Sequence, residues 1–341
     1  MKAPIVVIFW LVGLCLSTGC QTHIPPSDMT LNRGTQLLAA GSPKSAIPFL
    51  TQTVTATPDG PEPIALLALA YALDLQPERA LSEAVLVHRT KDSRPGWEFV
   101  AVGVAEMTLR RPMAAASALE HVACGPRTPI TPSAQQWLAL AQILAGKPEL
   151  AVTTLESLAR EPCMESTATL WVVLIHAYKA DGAKGTLALT RCAKAVSSRS
   201  GQMALTANLT SADDQTLYDA GVAAIAQGDL PTARRLLELV QKHDAESSDA
   251  CVWLALIAGA QDNWQAARMG LKDACEKGGS SSRGLANQLY SVVCALEERP
   301  EDMVQHTLAG QRMLNRAENS RQPVAQPERE GVWGSDNINM K

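Results

Sequence analysis

With 341 residues, the chain is long enough for two ordinary domains or for one continuous repeat array. Apolar residues make up 46% and aromatics only 4%, so a core must be built from Ala, Leu and Val, which suits close-packed helices and argues against a β-sandwich. The net charge of -4, with Lys and Arg scattered along the chain, lacks the basic footprint of a nucleic-acid binder, and no nucleic-acid partner is expected.

The amino terminus reads Lys2, an apolar run from Ile5 to Leu16, then Ser17-Thr18-Gly19-Cys20. These are the charged, hydrophobic and small-residue parts of a secretory signal over residues 1–19. The apolar run is about a dozen residues, short of the roughly 20 that span a bilayer as a helix. Small residues directly before Cys20 resemble a lipobox, which implies lipid attachment (palmitate) at Cys20. The fit departs at one place: Ser17 stands where Leu is usual, with Leu16 one position earlier, so an ordinary signal-peptidase site stays open. Gln21 after the cysteine resembles the default sorting of Gram-negative lipoproteins to the outer membrane. The implied location is therefore a periplasm-facing outer-membrane lipoprotein, or the cell envelope where no outer membrane exists. Residues 20–28 form the lipidated terminus and a short linker.

From residue 29 onward a period appears. Gly34 and Ala68, and again Gly221 and Ala255, are small residues 34 apart, and another alanine stands twelve residues after each, at Ala46, Ala80, Ala233 and Ala267. The clearest unit runs Leu217, Ala220-Gly221, Ala224, Gly228-Asp229, Ala233, Leu237, Val240. Gly41, Gly146 and Gly228 each precede an alanine by five residues, where a glycine ends one helix before the next begins. This pattern resembles the tetratricopeptide repeat (TPR), a pair of antiparallel helices A and B. The resemblance implies an all-α, right-handed superhelical solenoid of about seven to eight helical hairpins, with repeats 1–5 over 29–197 and repeats 6–8 over 211–316. The fifth unit, from Met164 to about Ser197, fits only with an insertion around Asp181 to Gly185. Residues 198–210 read as a connection splitting the array, Gly278-Gly279-Ser280-Ser281-Ser282 as a loop, and 317–341 as a disordered tail.

In the TPR family certain helix-A positions face an inner groove that binds partners. The resemblance places Leu69, Leu73, Trp137, Leu140, Leu144, Trp171, Tyr218, Val222, Ile225, Trp253 and Leu256 there, a greasy surface suited to an apolar or helical segment of another protein. The Lys and Asn clamp by which some relatives hold a peptide carboxylate is replaced by Leu31, Ala65 and Tyr218. Trp264 falls where the family has a structural aromatic beside the inter-helix turn.

Chemistry is not expected. The motifs G-x-S-x-G, G-x-x-x-x-G-K-[ST] and H-E-x-x-H do not occur, and the six histidines fall in different units. No catalytic residue, cofactor or metal site is assigned: the cysteines beyond Cys20 form no C-x-x-C pair and read as small buried hydrophobes. Cys251 and Cys275, on facing helices of one unit, are candidates for a disulfide in an exported chain. The functional expectation is a membrane-anchored scaffold that binds other envelope proteins in assembling a pilus, secretion or outer-membrane machine. The alternative is a regulatory or solute-binding lipoprotein with a ligand between two helical lobes.

Overall fold

A computed structural model describes residues 26–87, 96–160, 164–197, 213–245, 247–277 and 280–319. The expected signal, Cys20, the connection at 198–210 and the tail beyond Asn319 lie outside them. Every described element is a helix, and the sixteen helices form eight antiparallel hairpins. In chain order they are α1 (Pro26–Ala39) with α2 (Pro43–Ala56), α3 (Pro61–Leu73) with α4 (Pro77–Val87), α5 (Trp97–Thr108) with α6 (Pro112–Ala123), and α7 (Thr131–Leu144) with α8 (Pro148–Leu158). Then follow α9 (Glu165–Tyr178) with α10 (Gly182–Val196), α11 (Asp214–Gln227) with α12 (Leu230–His243), α13 (Ser248–Ala260) with α14 (Trp264–Glu276), and α15 (Ser280–Leu296) with α16 (Pro300–Asn319). The chain is thus an all-α, TPR-like solenoid.

The hairpins share one turn. A residue with left-handed φ ends helix A in each, at Gly41, Leu75, Arg110, Gly146, Ala180, Gly228, Asp262 and Glu298. Glycine holds this conformation without a Cβ penalty, yet only three of these positions carry it. The turn survives elsewhere because two backbone bonds close it: Leu75 N–H donates to Ala72 O and Gln76 N–H to Tyr71 O, and the same pair recurs at Arg110 and Arg111. Helix B then starts on proline at Pro43, Pro77, Pro112, Pro148 and Pro300, where the missing N–H costs nothing and φ is already helical. In α10, α12 and α14 a side chain caps the helix instead, with Asp181, Asp229 and Asn263 accepting from the backbone N–H three residues on.

Within a hairpin the contact is set by size. A Cβ built on Gly34 would stand 2.7 Å from Leu50, on Gly103 2.5 Å from Leu119, and on Gly221 2.9 Å from Leu237, so helix A gives up a side chain where a helix-B leucine crosses it. The alanines that opened helix B in the sequence, Ala46, Ala80, Ala115, Ala151, Ala233 and Ala267, are all fully buried. In the fifth hairpin Gly185 takes that place, its N–H bonded to Asp181 O as Ala233 N–H is to Asp229 O. No insertion is needed around Asp181 to Gly185: the unit is in register, with glycine where alanine was sought. A Cβ on Gly185 would make only ordinary contact with the Ala260 Cα, at 3.4 Å. Ser280–Ser282, expected as loop, form the first turn of α15.

Two departures from a simple stack shape the molecule. First, α9 and α10 pack directly on α13 although α11 and α12 lie between them in sequence. Thr186 Oγ1 donates to Ala260 O at 3.2 Å across this junction, and Tyr178 meets Trp264 edge-on at 5.3 Å. A small separate core formed by Leu217, Ala220, Leu236 and Val240 of the α11–α12 hairpin with Ala250 of α13 lies here. Second, the array curls until its ends meet. Helix α15 packs on α7 and α9, α16 packs on α5, and Gln311 and Asn315 of α16 both donate to Ala39 O in the first turn.

Candidate interaction surfaces

The register fixed by the Gly103–Leu119 and Gly221–Leu237 contacts says which side of each helix A turns towards its own helix B. The eleven candidate groove residues lie on other positions of helix A, as the family pattern requires. They do not, however, line an open groove. Leu69, Leu73, Trp137, Leu140, Trp171, Val222, Ile225, Trp253 and Leu256 are buried, Trp171 to 1% exposure, and Leu144 and Tyr218 are half-buried. The physical reason is the closure of the array. The inner face of α7 and α9 is covered by α15, and the α11 and α13 residues pack into the α10–α13 junction, where Trp253 Nε1 donates to the Tyr218 hydroxyl at 2.8 Å. These side chains hold the fold together in this conformation.

Several buried polar groups on the same helices are less well served. Gln136 Nε2 on α7, and Thr167 Oγ1 and Trp171 Nε1 on α9, are buried with no hydrogen-bond partner among the described residues. Glu98 on α5 is fully buried with both carboxyl oxygens likewise unpaired. Of these, only Trp171 was marked in the sequence, as a groove candidate; Glu98, Gln136 and Thr167 read as ordinary polar residues in the first half of a helix.

The exposed large apolar side chains stand mostly on the B helices, with Met29 of α1 and Tyr178 of α9 the exceptions among the described residues. Val85 and Leu86 of α4, Met113 of α6, Leu150 of α8, Leu187 of α10, Leu239 of α12 and Met269 of α14 are all exposed. Apart from the adjacent Val85 and Leu86, each stands singly on its helix, as surface apolar residues commonly do. A shallow cavity of about 320 Å³ opens among α12, α13 and α14, edged by Arg234, Glu238, Gln241, Asn263 and Asp273. It lies between neighbouring hairpins of the second half of the array.

Several titratable groups elsewhere are engaged structurally. His306 Nδ1 meets Asn287 Oδ1 at 2.8 Å and the ring stacks edge-on against Tyr290, with burial lowering its pKa. Burial likewise lowers the pKa of His176, whose Nδ1 stands 3.9 Å from Asp181. Arg299 bridges Glu297 and Asp302, and Arg268 reaches Glu297 from α14, tying the last two hairpins together. The thiols of Cys192, Cys275 and Cys294 are pushed up to about 12 by burial, the opposite of a reactive nucleophile. Cys251 and Cys275 are free thiols rather than the disulfide considered from sequence. Among the described residues no three His, Cys, Asp or Glu side chains gather to hold a metal, and no helix is long and apolar enough to cross a membrane.

The chain matches no family model and no curated protein. Among solved structures it is similar to a tetratricopeptide-repeat protein from Parabacteroides merdae, at 12% identity and TM-score 0.39 over 78% of this chain and 98% of that one. It is also similar to the C-terminal part of a TPR repeat-containing protein from Cytophaga hutchinsonii, at 12% identity and TM-score 0.33 over 86% of this chain and 99% of that one. A third similarity is to the Cut9–Hcn1 hetero-tetramer of the APC/C, at 14% identity and TM-score 0.37, covering 86% of this chain and 56% of that one. The chain thus spans little more than half the length of that last protein.

Proposed function

We propose that the protein is a membrane-anchored scaffold that binds other proteins of the bacterial envelope. The observation that carries this reading is the architecture itself: eight hairpins repeat one interior while their surfaces differ, an arrangement that offers extended area for protein contact. Partners are other envelope proteins engaged through an apolar or helical segment, in the assembly of a pilus, secretion or outer-membrane machine.

The anchor is the lipid expected on Cys20. Fewer than ten residues separate it from Met29, which at about 3.3 Å each holds the array within roughly 30 Å of the bilayer. The test joins both halves of the reading. Cell fractionation with labelled palmitate should place the wild type in the outer membrane and release Cys20→Ser in soluble, unlabelled form. Crosslinking from the same membranes should then capture specific envelope proteins with the wild type. Unchanged fractionation of Cys20→Ser removes the anchor, and crosslinking that yields no specific protein removes the scaffold.

A further inference from the structure

Three features of the array's closure point to one device. The inner face of α7 and α9 is covered by α15, a 17-residue helix of the chain itself. The hairpin that carries α15 is fastened at its far end, where Gln311 Nε2 and Asn315 Nδ2 donate to Ala39 O at 2.6 and 2.5 Å. The seat there is tight: a Cβ on Gly41 would stand 2.9 Å from both Leu308 O and the Arg312 side chain. The covered face is nevertheless imperfectly matched. Gln136 on α7, and Thr167 and Trp171 on α9, the two helices on which α15 packs, each bury a polar atom that finds no partner among the described residues. A buried polar group left unpaired costs far more than a hydrogen bond returns, because it has lost water and gained nothing. So α15 packs on the two helices that carry the buried Trp137, Leu140 and Trp171, and shares one apolar core with them, while two N–H donors and a hydroxyl on those helices stay unanswered.

We propose that the α15–α16 hairpin is a displaceable occupant of the inner face, held by the Gln311/Asn315 latch, and that an amphipathic helix of a partner takes its place. The class of ligand follows from what now fills the site. It is a helix with an apolar stripe for Trp137, Leu140 and Trp171, and with hydrogen-bond acceptors, such as Glu or Gln side chains, set against Gln136 Nε2 and Trp171 Nε1. Closure keeps the greasy face from water until such a partner arrives. The inference rests on the protein-interaction reading above and gives that reading its site and its control.

The test uses the full chain and needs no native partner. Hydrogen exchange read by mass spectrometry follows α15, α16 and their contacts on α7 and α9. The latch variant Gln311→Ala/Asn315→Ala should raise exchange there by about tenfold, as expected for losing two modest hydrogen bonds, while α3, α4 and α12, which do not pack on the hairpin, exchange as before. The near-isosteric variant Gln136→Met/Thr167→Val removes two unpaired polar groups and should slow the same opening by about tenfold or more. A fluorescently labelled peptide of residues 280–296 should bind the latch variant at least tenfold more tightly than the wild type. The proposal is overturned if the latch variant exchanges like the wild type, if protection is lost along the whole array, or if the Gln136/Thr167 variant opens faster. It is equally overturned if the peptide does not bind a latch variant that has opened. Failure to crosslink any envelope protein would count against the interaction reading and leave these exchange results standing.

Discussion

Gly103→Ala sets two sizeable effects of opposite sign against each other. Gly103 lies in the middle of α5 with ordinary helical backbone, and there alanine is favoured over glycine by about 0.5–1 kcal/mol through the entropy of the unfolded chain. Against this, the new methyl would sit 2.5 Å from Leu119 Cγ and 2.8 Å from both of its Cδ atoms. Leu119 is fully buried and cannot swing clear, so either it leaves its rotamer or α5 and α6 separate. Overpacking of this kind costs about 1–3 kcal/mol, and the net expectation is a loss of about 1–2 kcal/mol. Leu119→Ala alone should cost about 2–5 kcal/mol as a cavity. The double variant reproduces the Ala68 and Ala84 pair that the second hairpin uses naturally, so its loss should be at least 0.5 kcal/mol smaller than the sum of the two singles. Urea unfolding followed by circular dichroism measures all three. A neutral or stabilising Gly103→Ala, or strict additivity in the double variant, would refute the claim that hairpin packing is set by this contact.

The left-handed turns yield a prediction of opposite sign. Ala180 is exposed at φ 53°, so Ala180→Gly should stabilise by about 1 kcal/mol, whereas Gly228→Ala, at φ 83° with open space around it, should destabilise by a similar amount in the same urea experiment. Acid sensitivity should come in part from the caps. The cap hydrogen bond from Thr232 holds the Asp229 carboxyl below its ordinary value, so its stabilisation is complete above the unfolded pKa of about 3.9 and is lost as pH falls through the lower folded value. Asp229→Asn keeps a cap acceptor without titrating. Its thermal stability should therefore fall less than the wild type's between pH 5 and about pH 2, and parallel curves would contradict the assignment. Native alkylation at pH 8 should label the exposed Cys124 well before Cys192, Cys275 and Cys294, whose thiols stay protonated. Early labelling of Cys192 would place it outside the core.

How much of this was legible follows from where the information sits. The hairpin interior is local: a small residue, a leucine sixteen positions on and an alanine twelve positions on are all within one unit. The period therefore revealed α1 to α4 and α11 to α14 directly. The fifth hairpin was harder because Val173 and Gly185 occupy the two marker positions, so the same geometry is reached with the sizes redistributed. Glycine as a turn marker found Gly41, Gly146 and Gly228 and missed five turns in which backbone bonding carries Leu75, Arg110, Ala180, Asp262 and Glu298 into the same conformation.

The closure is a different kind of fact. It arises from small rotations accumulated over the whole array, and nothing near Gln311 or Asn315 announces a bond to Ala39, 272 residues away in the first case. One signal was present in the sequence. Helices α3 and α13 are apolar nearly all round, with Ala65, Leu66 and Leu69 of α3 buried alongside Ala68, and a helix with no polar face is one enclosed on every side. The position of Trp137 and Trp171 on the inner side of helix A was readable from the period; the occupation of that inner side by α15 was not.

The most direct test of the closed array is a distance between its ends. Spin labels on Ser45, exposed in α2, and on Arg312 of α16, in a background with the native cysteines replaced by alanine, report the gap between the first hairpin and the last by pulsed dipolar spectroscopy. Closure predicts one narrow population at short distance, because Arg312 packs beside Gly41, only four residues from Ser45. A broad distribution centred at long distance would mean an open solenoid with its inner face free, and would contradict the closure on which the fold and the proposed control both depend.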